Sequence, residues 1–413
     1  MDSDGALEPG LLLRLSYGAY LFIGLLAMLI IQGALSTALA KVPFLSEGCS
    51  TLVGNEKCSA EMLTYRVSFA LTLFFSLHWL SVSDLTCCIE SKTRAQLQES
   101  FFTFKTVLLV LFFLLTLVLP NTFFAGYAYV CLFGSAVFLF MNVIFLVDFS
   151  YQWSDDWGER ADENEKWFYY LLFITFGSFL LGAVVTVATF YFYVPSSDCT
   201  VHLTMIVLVL IATVVFTGLS IYIPHGSIVP SGIVFLYTIS ILYVTLQHSP
   251  MTQCVRSFHN NNNNNNNKNF PDLSSSTFEF VVSTLLSPFA LLYAVVSSSG
   301  NSAALNIGVH VNEDGETVDD DDDRTGHLSK FMFFYFVMIL GSMYLAMLAS
   351  GWHISGLGDG ALATSVSIAF WVRLMTVTAS IILYLWSLLA PYTCCRGRDY
   401  GFEIDEDLFD FDL

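Results

Sequence analysis

Ten long apolar stretches follow one another along the chain, each broken from the next by a polar segment: Leu12–Ala40, Leu63–Leu85, Phe101–Leu119, Phe124–Trp153, Trp167–Val194, His202–Ile223, Pro230–Gln247, Phe278–Val296, Lys330–Gly351 and Ala363–Pro391. A helix needs ~20 mostly apolar residues to cross ~30 Å of hydrocarbon, so each stretch is predicted as a membrane-spanning helix. A transmembrane barrel would show alternating strands of about 10 residues between turns. These runs are instead continuous and apolar on every side. The expected fold is all-α, a polytopic membrane protein with ten transmembrane helices over residues 12–392, a cytosolic N-terminus at 1–11 and an acidic cytosolic tail at 393–413. The first run is too long, and its flank too acidic, to read as a cleaved signal peptide.

The fourth run differs from the others. It passes without Pro from NVIFLVDFSYQW into SDDWGERADENEKW. Within it Asp148, Gln152, Asp155, Glu159, Asp162 and Lys166 recur at three- and four-residue steps, the period of one helical face. Two readings follow. The helix either ends near Ser154, with Gly158 in a loop, or runs unbroken from Phe124 to about Glu163. The unbroken helix is preferred, and at 1.5 Å per residue its ~60 Å would force it to tilt, protrude, or both. Trp153 and Trp157, one turn apart, fit an interfacial aromatic pair at the exit from the bilayer.

Composition agrees with lipid as the solvent: 55% of residues are hydrophobic, 12% are charged, and 38 of 413 are Phe. Such a chain has too few polar groups to cover a water-soluble surface. Each charge inside a span costs about 2.5–3.5 kcal/mol on insertion scales and usually faces protein or a wet cavity. The spans carry Arg66, Asp84, Lys105, Asp148, Glu279 and Arg373. Arg66, Asp84 and Glu279 lie near run ends and are expected to snorkel to the interface. Lys105 and Asp148 are flanked by strongly apolar sequence and are expected to form a buried interhelical ion pair.

Ten spans place both ends on one side of the membrane. With termini inside, Arg14, Lys92, Arg94, Arg160, Lys166, Arg324, Lys330, Arg396 and Arg398 are cytosolic, against Lys41, Lys57, Arg66, Arg256 and Lys268 outside. That nine-to-five excess follows the positive-inside rule. The same topology puts Cys49, Cys58, Cys199 and Cys254 outside, where they suit disulfides. It puts Cys87, Cys88, Cys394 and Cys395 at the cytosolic membrane edge, where thiols suit S-acylation. Four cysteines allow three connectivities; proximity in sequence points to Cys49–Cys58 and Cys199–Cys254, with unpaired thiols as the alternative.

The net charge of −19 is concentrated in three segments on the cytosolic side: Asp155 to Glu165, Glu313 to Asp323 within the loop at 298–329, and Glu403 to Asp412. That balance argues against nucleic acid and against polybasic docking on anionic lipid. The acidic run Asp319–Asp323 lacks the alternating ligands and Gly of a calcium loop and reads as a solvated loop. Asn260–Asn267 is a low-complexity insertion in an outer loop. No nucleotide loop, zinc-protease, Cys-x-x-Cys or G-x-S-x-G motif occurs, so the chain is not expected to be an enzyme, and no catalytic residue, metal or cofactor is assigned.

The stretch NVIFLVDFSYQWSDDW resembles the signature of the serine incorporator (Serinc, or TMS membrane protein) family, in which an apolar run ends in Asp-Phe followed by Trp-x-x-x-Trp. Cys49 and Cys58 flanking the first outer loop, Tyr65-Arg66, Phe104-Lys105, PSGIVFLYTISILY, GSMYLAMLASGW and LYLWSLLAP are similar to further family segments, in family order from about Lys41 to Pro391. The family's Cys-rich N-terminus is missing, HLSKFMFFYF replaces its Tyr-Ser-Tyr-Ser lead into the ninth span, and the Asn run is extra, as in a divergent member.

The resemblance implies two helical bundles separated by a long tilted fourth helix. It also implies one of two roles: aiding serine entry into phosphatidylserine and sphingolipids, or moving phospholipid between leaflets without ATP. On that view Lys105, Asp148 and Arg373 are candidate lipid-path charges, and the partners are membrane lipids, with lipid-synthesis enzymes or a homo-oligomer as further options. The expected setting is the endoplasmic reticulum, Golgi or plasma membrane. A serine or small-solute transporter and a scaffold for lipid-synthesis enzymes are the rival readings; Gly218 and the segment Pro224 to Gly232 are the only hints of the interrupted spans a transporter would use.

Overall fold

The computed structural model describes residues 9–39, 41–46, 55–83, 102–196, 198–223, 227–247, 249–254, 321–352, 354 and 359–393. Regular structure among them is helical throughout. The order is α1 (Pro9–Gly33), short α2 (Ser36–Leu39) and α3 (Pro43–Ser46), α4 (Asn55–Val82), α5 (Phe102–Thr116), α6 (Asn121–Glu163), α7 (Glu165–Tyr193), α8 (Thr200–Tyr222), α9 (Ile228–Gln247), a 3-10 turn at Thr252–Cys254, α10 (Asp321–Ala349) and α11 (Asp359–Thr393). Several helices, α8 above all, are rich in Val, Ile and Thr, which are mediocre helix formers in water. In hydrocarbon a helix satisfies every backbone donor and acceptor within one segment, and that requirement outweighs propensity.

Among the described residues, seven segments are long and apolar enough to cross a membrane: Leu15–Gly33, Asn121–Ala161, Glu165–Tyr193, Thr200–Tyr222, Ile228–Gln247, Phe331–Ala349 and Ser367–Leu389. The second and third predicted spans are present as α4 and α5 but fall short of that standard. α4 is diluted by Arg66, His78 and several hydroxyls, and α5 has only 15 residues. The predicted eighth span at 278–296 lies outside the described residues, as do the Asn run, most of the acidic loop and the tail after residue 393. Two boundaries move. The run Leu12–Ala40 is not one helix, because α1 stops at Gly33 and the chain turns before α2. α10 starts at Asp321 rather than Lys330, so the end of the acidic run falls in its first turn.

Many large apolar side chains face outward. Phe104, Val118, Phe173, Val214 and Tyr222 are each more than half exposed, an arrangement that water would penalise and lipid does not. Inside, the apolar residues form two clusters. One gathers α1, α4, the first half of α6 and α10, with Tyr17, Phe74, Tyr127, Phe138, Tyr335 and Met347 among its members. The other gathers α7, α8, α9 and α11, with Phe216, Phe235, Leu242, Phe370 and Tyr384. Among the described residues α6 alone contributes strongly to both: Phe124, Phe138, Leu139 and Phe145 belong to the first, and Val143 and Val147 to the second. α6 is unbroken for 43 residues, so the reading that ended it at Ser154 does not hold.

Candidate functional site

The site begins with how closely neighbouring helices approach α6. Gly134 lies so near α10 that a Cβ there would strike the Met343 side chain. The absence of a side chain lets the two helices touch, as small residues do in lipid, where no hydrophobic force drives helices together. About two turns further on, Asn142 Nδ2 donates to the Tyr237 hydroxyl of α9 at 3.2 Å. Between these contacts α6 and α11 diverge and leave a groove of about 500 Å³, bounded by Ala136 and Phe140 on one wall and by Ile368, Trp371, Met375 and Thr376 on the other. Its walls are almost wholly apolar. Trp371 and Met375 are well exposed, so the groove opens sideways to whatever solvates the helices.

Beyond the groove, α6 turns polar. Asp148 is half-buried, and its Oδ2 accepts from Gln152 Nε2 one turn on at 3.2 Å. Ser154 meets Ser227, just before α9, at 2.6 Å. Trp153 and Trp157, the expected interfacial pair, pack against each other, and the structure adds partners. Ring centres run from Phe149 to Trp153 (5.4 Å), Trp157 (5.0 Å), Trp167 (5.2 Å) and Tyr170 (5.8 Å). Arg160 lies 5.2 Å over Trp167 and pairs with Asp156 at 3.0 Å. Only Asn164 separates α6 from α7, its side chain accepting from the Lys166 amide. The segment Asp155 to Glu165 is therefore a helical elbow held by rings that meet mostly edge to face.

The expected Lys105–Asp148 pair does not form. Lys105 is buried in the first cluster, with Nζ 5.2 Å from the Tyr17 ring and 5.0 Å from that of Phe102, because α5 packs on α4 and not on the far half of α6. Arg373 is also buried, its guanidinium 4.2 Å over the ring of Trp352, which follows α10. It lies on the helix that walls the groove.

Arg66 does not snorkel. It is fully buried and donates to the carbonyls of Thr116 and Leu119 and to Asn121 Oδ1, with Phe44 and Phe124 against its planar face. One guanidinium thus caps the end of α5 and ties it to the start of α6, a task suited to its forked donors. Asp84 and Glu279 lie outside the described residues.

Cys199 and Cys254 are bonded, with S–S 2.05 Å. Cys58 is also disulfide-bonded; its expected partner Cys49, and the acylation candidates Cys87, Cys88, Cys394 and Cys395, lie outside the described residues.

Two features escaped the sequence reading. In the first cluster Ser68, Thr72, Tyr127 and Ser342 join α4, α6 and α10 through hydrogen bonds of 2.7 to 3.1 Å. Thr64, Ser68 and Thr72 recur every fourth residue, a polar stripe that was visible in the sequence. Trp352 is the second; its neighbours come from distant segments, so nothing local marked it.

The family model for serine incorporators (Serinc) matches residues 7–318 and 309–397. The chain is 23% identical over 422 residues to a probable serine incorporator of Nematostella vectensis, covering 92% of this chain and 89% of that one. It is 23% identical over 444 residues to serine incorporator 3 of Mus musculus, at 94% and 92% coverage, and 25% identical over 317 residues to a probable serine incorporator of Dictyostelium discoideum, at 72% of each. With its apolar helices, that match makes the chain an integral, multi-pass membrane protein and a divergent member of the serine incorporator family.

Proposed function

We propose that this protein moves phospholipid between leaflets without ATP and thereby supports the incorporation of serine into phosphatidylserine and sphingolipids. The reading includes ten spans arranged as two bundles on either side of α6, and both termini in the cytosol of an endoplasmic reticulum, Golgi or plasma membrane. It assigns the chain no catalytic chemistry of its own. Membrane lipids are its partners, joined on the same view by lipid-synthesis enzymes or a second copy of the chain.

The observation that carries the reading is the apolar groove between α6 and α11, open sideways, with the polar positions Asp148 and Gln152 two to three turns further along α6. A headgroup crossing bare hydrocarbon meets a barrier of several kcal/mol per charge. A polar helical face lowers that barrier while the acyl chains stay in an apolar trough. A serine carrier would use interrupted helices at the midplane. α8 runs unbroken through Gly218, and Pro230 falls in the first turn of α9, where proline is tolerated; these observations favour lipid over a dissolved solute.

The test is reconstitution into liposomes carrying a fluorescent lipid in both leaflets, followed by an impermeant reductant. Quenching is expected to pass well beyond half with protein and to stop near half without it. Ala136→Trp, which fills the groove, and Asp148→Asn are both expected to slow the second phase without changing elution or incorporation. A stop near half for the unaltered protein overturns the proposal.

A further inference from the structure

Three rings converge at the junction of α6 and α7. The centres of Trp157 and Trp167 are 5.2 Å apart, those of Trp167 and Tyr170 5.8 Å, and those of Trp157 and Tyr170 6.3 Å. Their planes cross at 68°, 75° and 64° in the same order, so the rings stand as the walls of a corner rather than as a stack. Interfacial anchoring explains why aromatic residues gather at the end of an apolar run. It does not require them to converge, nor does it explain what is drawn to them.

The Arg160 guanidinium lies 5.2 Å over the Trp167 ring, and its Nε and Nη2 both donate to Asp156 Oδ1, at 3.3 and 3.0 Å. A ring face and a carboxylate thus hold one cation between them. It is held loosely: both side chains of the pair are 52% exposed, and an exposed pair four residues apart on a helix contributes little. Trp157 and Trp167 are half-buried and Tyr170 is exposed, so the rings are open to a ligand from outside. The segment Asp155 to Lys166 carries six acids and two bases, a balance that attracts a cation and repels an anion.

We propose that this corner binds the quaternary ammonium of a choline phospholipid, with Trp157, Trp167 and Tyr170 as its walls, Asp156 as its counter-charge and Arg160 as an internal occupant that the headgroup displaces. A cation over a ring face is attracted by the ring quadrupole, and quaternary ammonium is the ligand that aromatic cages recognise. Its methyl groups cover the charge, so it gives up water more readily than a primary ammonium, which is compact and strongly hydrated. The apolar run of α6 ends at Trp153, one turn before Trp157, which sets the corner at headgroup depth and commits it to a lipid rather than a free cation. The site rests on the reading that phospholipid approaches α6, but not on whether lipid crosses the membrane.

Thermal unfolding of the full chain in dodecylmaltoside micelles, titrated with phosphatidylcholine, phosphatidylglycerol of the same acyl chains, or tetramethylammonium chloride, reads headgroup binding without measuring lipid crossing. Phosphatidylcholine is expected to raise Tm of the unaltered protein and phosphatidylglycerol to leave it nearly unchanged. Trp167→Leu removes one wall and should weaken the apparent affinity about ten-fold, the scale of one cation–π contact. Arg160→Gln removes the internal occupant and should tighten binding about three-fold, the scale of an exposed ion pair. Lys166→Gln, which removes an equal charge from the same elbow, should change it little.

A folding defect weakens binding and cannot tighten it, so the Arg160→Gln result decides even where Trp167→Leu lacks a cooperative transition. Unchanged or weaker binding by Arg160→Gln overturns the site, as do equal shifts from phosphatidylglycerol and phosphatidylcholine. Equal tightening by Lys166→Gln overturns it too, by reducing the effect to net charge. A tetramethylammonium shift as large as that from phosphatidylcholine at the same concentration overturns the lipid as occupant. If the titration behaves as expected while the liposome signal stops near half, the site stands and the lipid-movement reading falls; lipid movement with a Tm indifferent to phosphatidylcholine has the opposite meaning.

Discussion

At the scale of single residues, the buried charges separate by what they hold rather than by how deep they lie. Arg66 is the clearest structural cation, since two carbonyls at the end of α5 and one side-chain oxygen at the start of α6 depend on it. Its removal by Arg66→Ala strands those acceptors in a dry interior and is expected to lower stability by at least about 2 kcal/mol. Arg66→Lys should recover only part, because an ammonium lacks the fork that reaches both helices. Thermal unfolding monitored by size exclusion distinguishes the two; equal midpoints for Lys and Ala variants would show that the fork is irrelevant. Asp148 stands differently, half-buried and further along α6 from the groove, and on the proposed function it is expected to affect lipid movement before it affects folding.

At the scale of elements, glycine position decides how helices meet. Gly182 of α7 and Gly232 of α9 face a crossing where a Cβ would run into Phe235 and into Ser178 and Phe179 respectively. Gly158, in the protruding part of α6, has open space around it. Gly182→Ala is therefore expected to destabilise by about 1–3 kcal/mol through overpacking, whereas Gly158→Ala should stabilise by about 0.5–1 kcal/mol by removing unfolded-state freedom from a helical site. Paired unfolding midpoints check the signs. A destabilised Gly158→Ala would mean that the far end of α6 is not helical in solution. The same element shows where sequence pattern reaches its limit. Its three- and four-residue polar period announced a helix, but not that α7 would follow after one residue with rings from Phe149 to Tyr170 packed across the junction.

At the scale of the whole molecule, the two apolar clusters are joined chiefly through α6, and the second carries its own covalent tie. Cys199 and Cys254, 55 residues apart, join the start of α8 to the turn after α9. Closing a loop of that size restricts the unfolded chain, and Cys199→Ser is expected to cost about 2–4 kcal/mol. The loss should appear as a lower Tm in detergent, and reductant, which also opens the Cys58 bond, should lower the Tm of the unaltered protein at least as far. An unchanged Tm in both cases would place the bond outside the cooperative unit. Bridging by α6 also accounts for where the groove lies: a helix that must pack against both clusters cannot follow α11 along its whole length, and the groove is the space left between them.

What the sequence determined by itself was the solvent, the helical class, most helix positions and the length of α6, because each depends on local composition and period: runs near twenty apolar residues, and polar residues three and four apart. The family was legible for the same reason, since its motifs are contiguous. The sequence could place Lys105, Asp148 and Arg373 at a depth but could not choose their partners. Lys105 met the rings of Tyr17 and Phe102 instead of Asp148, and Arg373 met Trp352 across more than twenty residues of chain. Partner choice is set by which faces of non-neighbouring helices touch, and in a chain apolar on nearly every side the hydrophobic period carries little information about facing. Only the tertiary packing, through close approaches at glycine and buried hydrogen bonds between helices, resolves it.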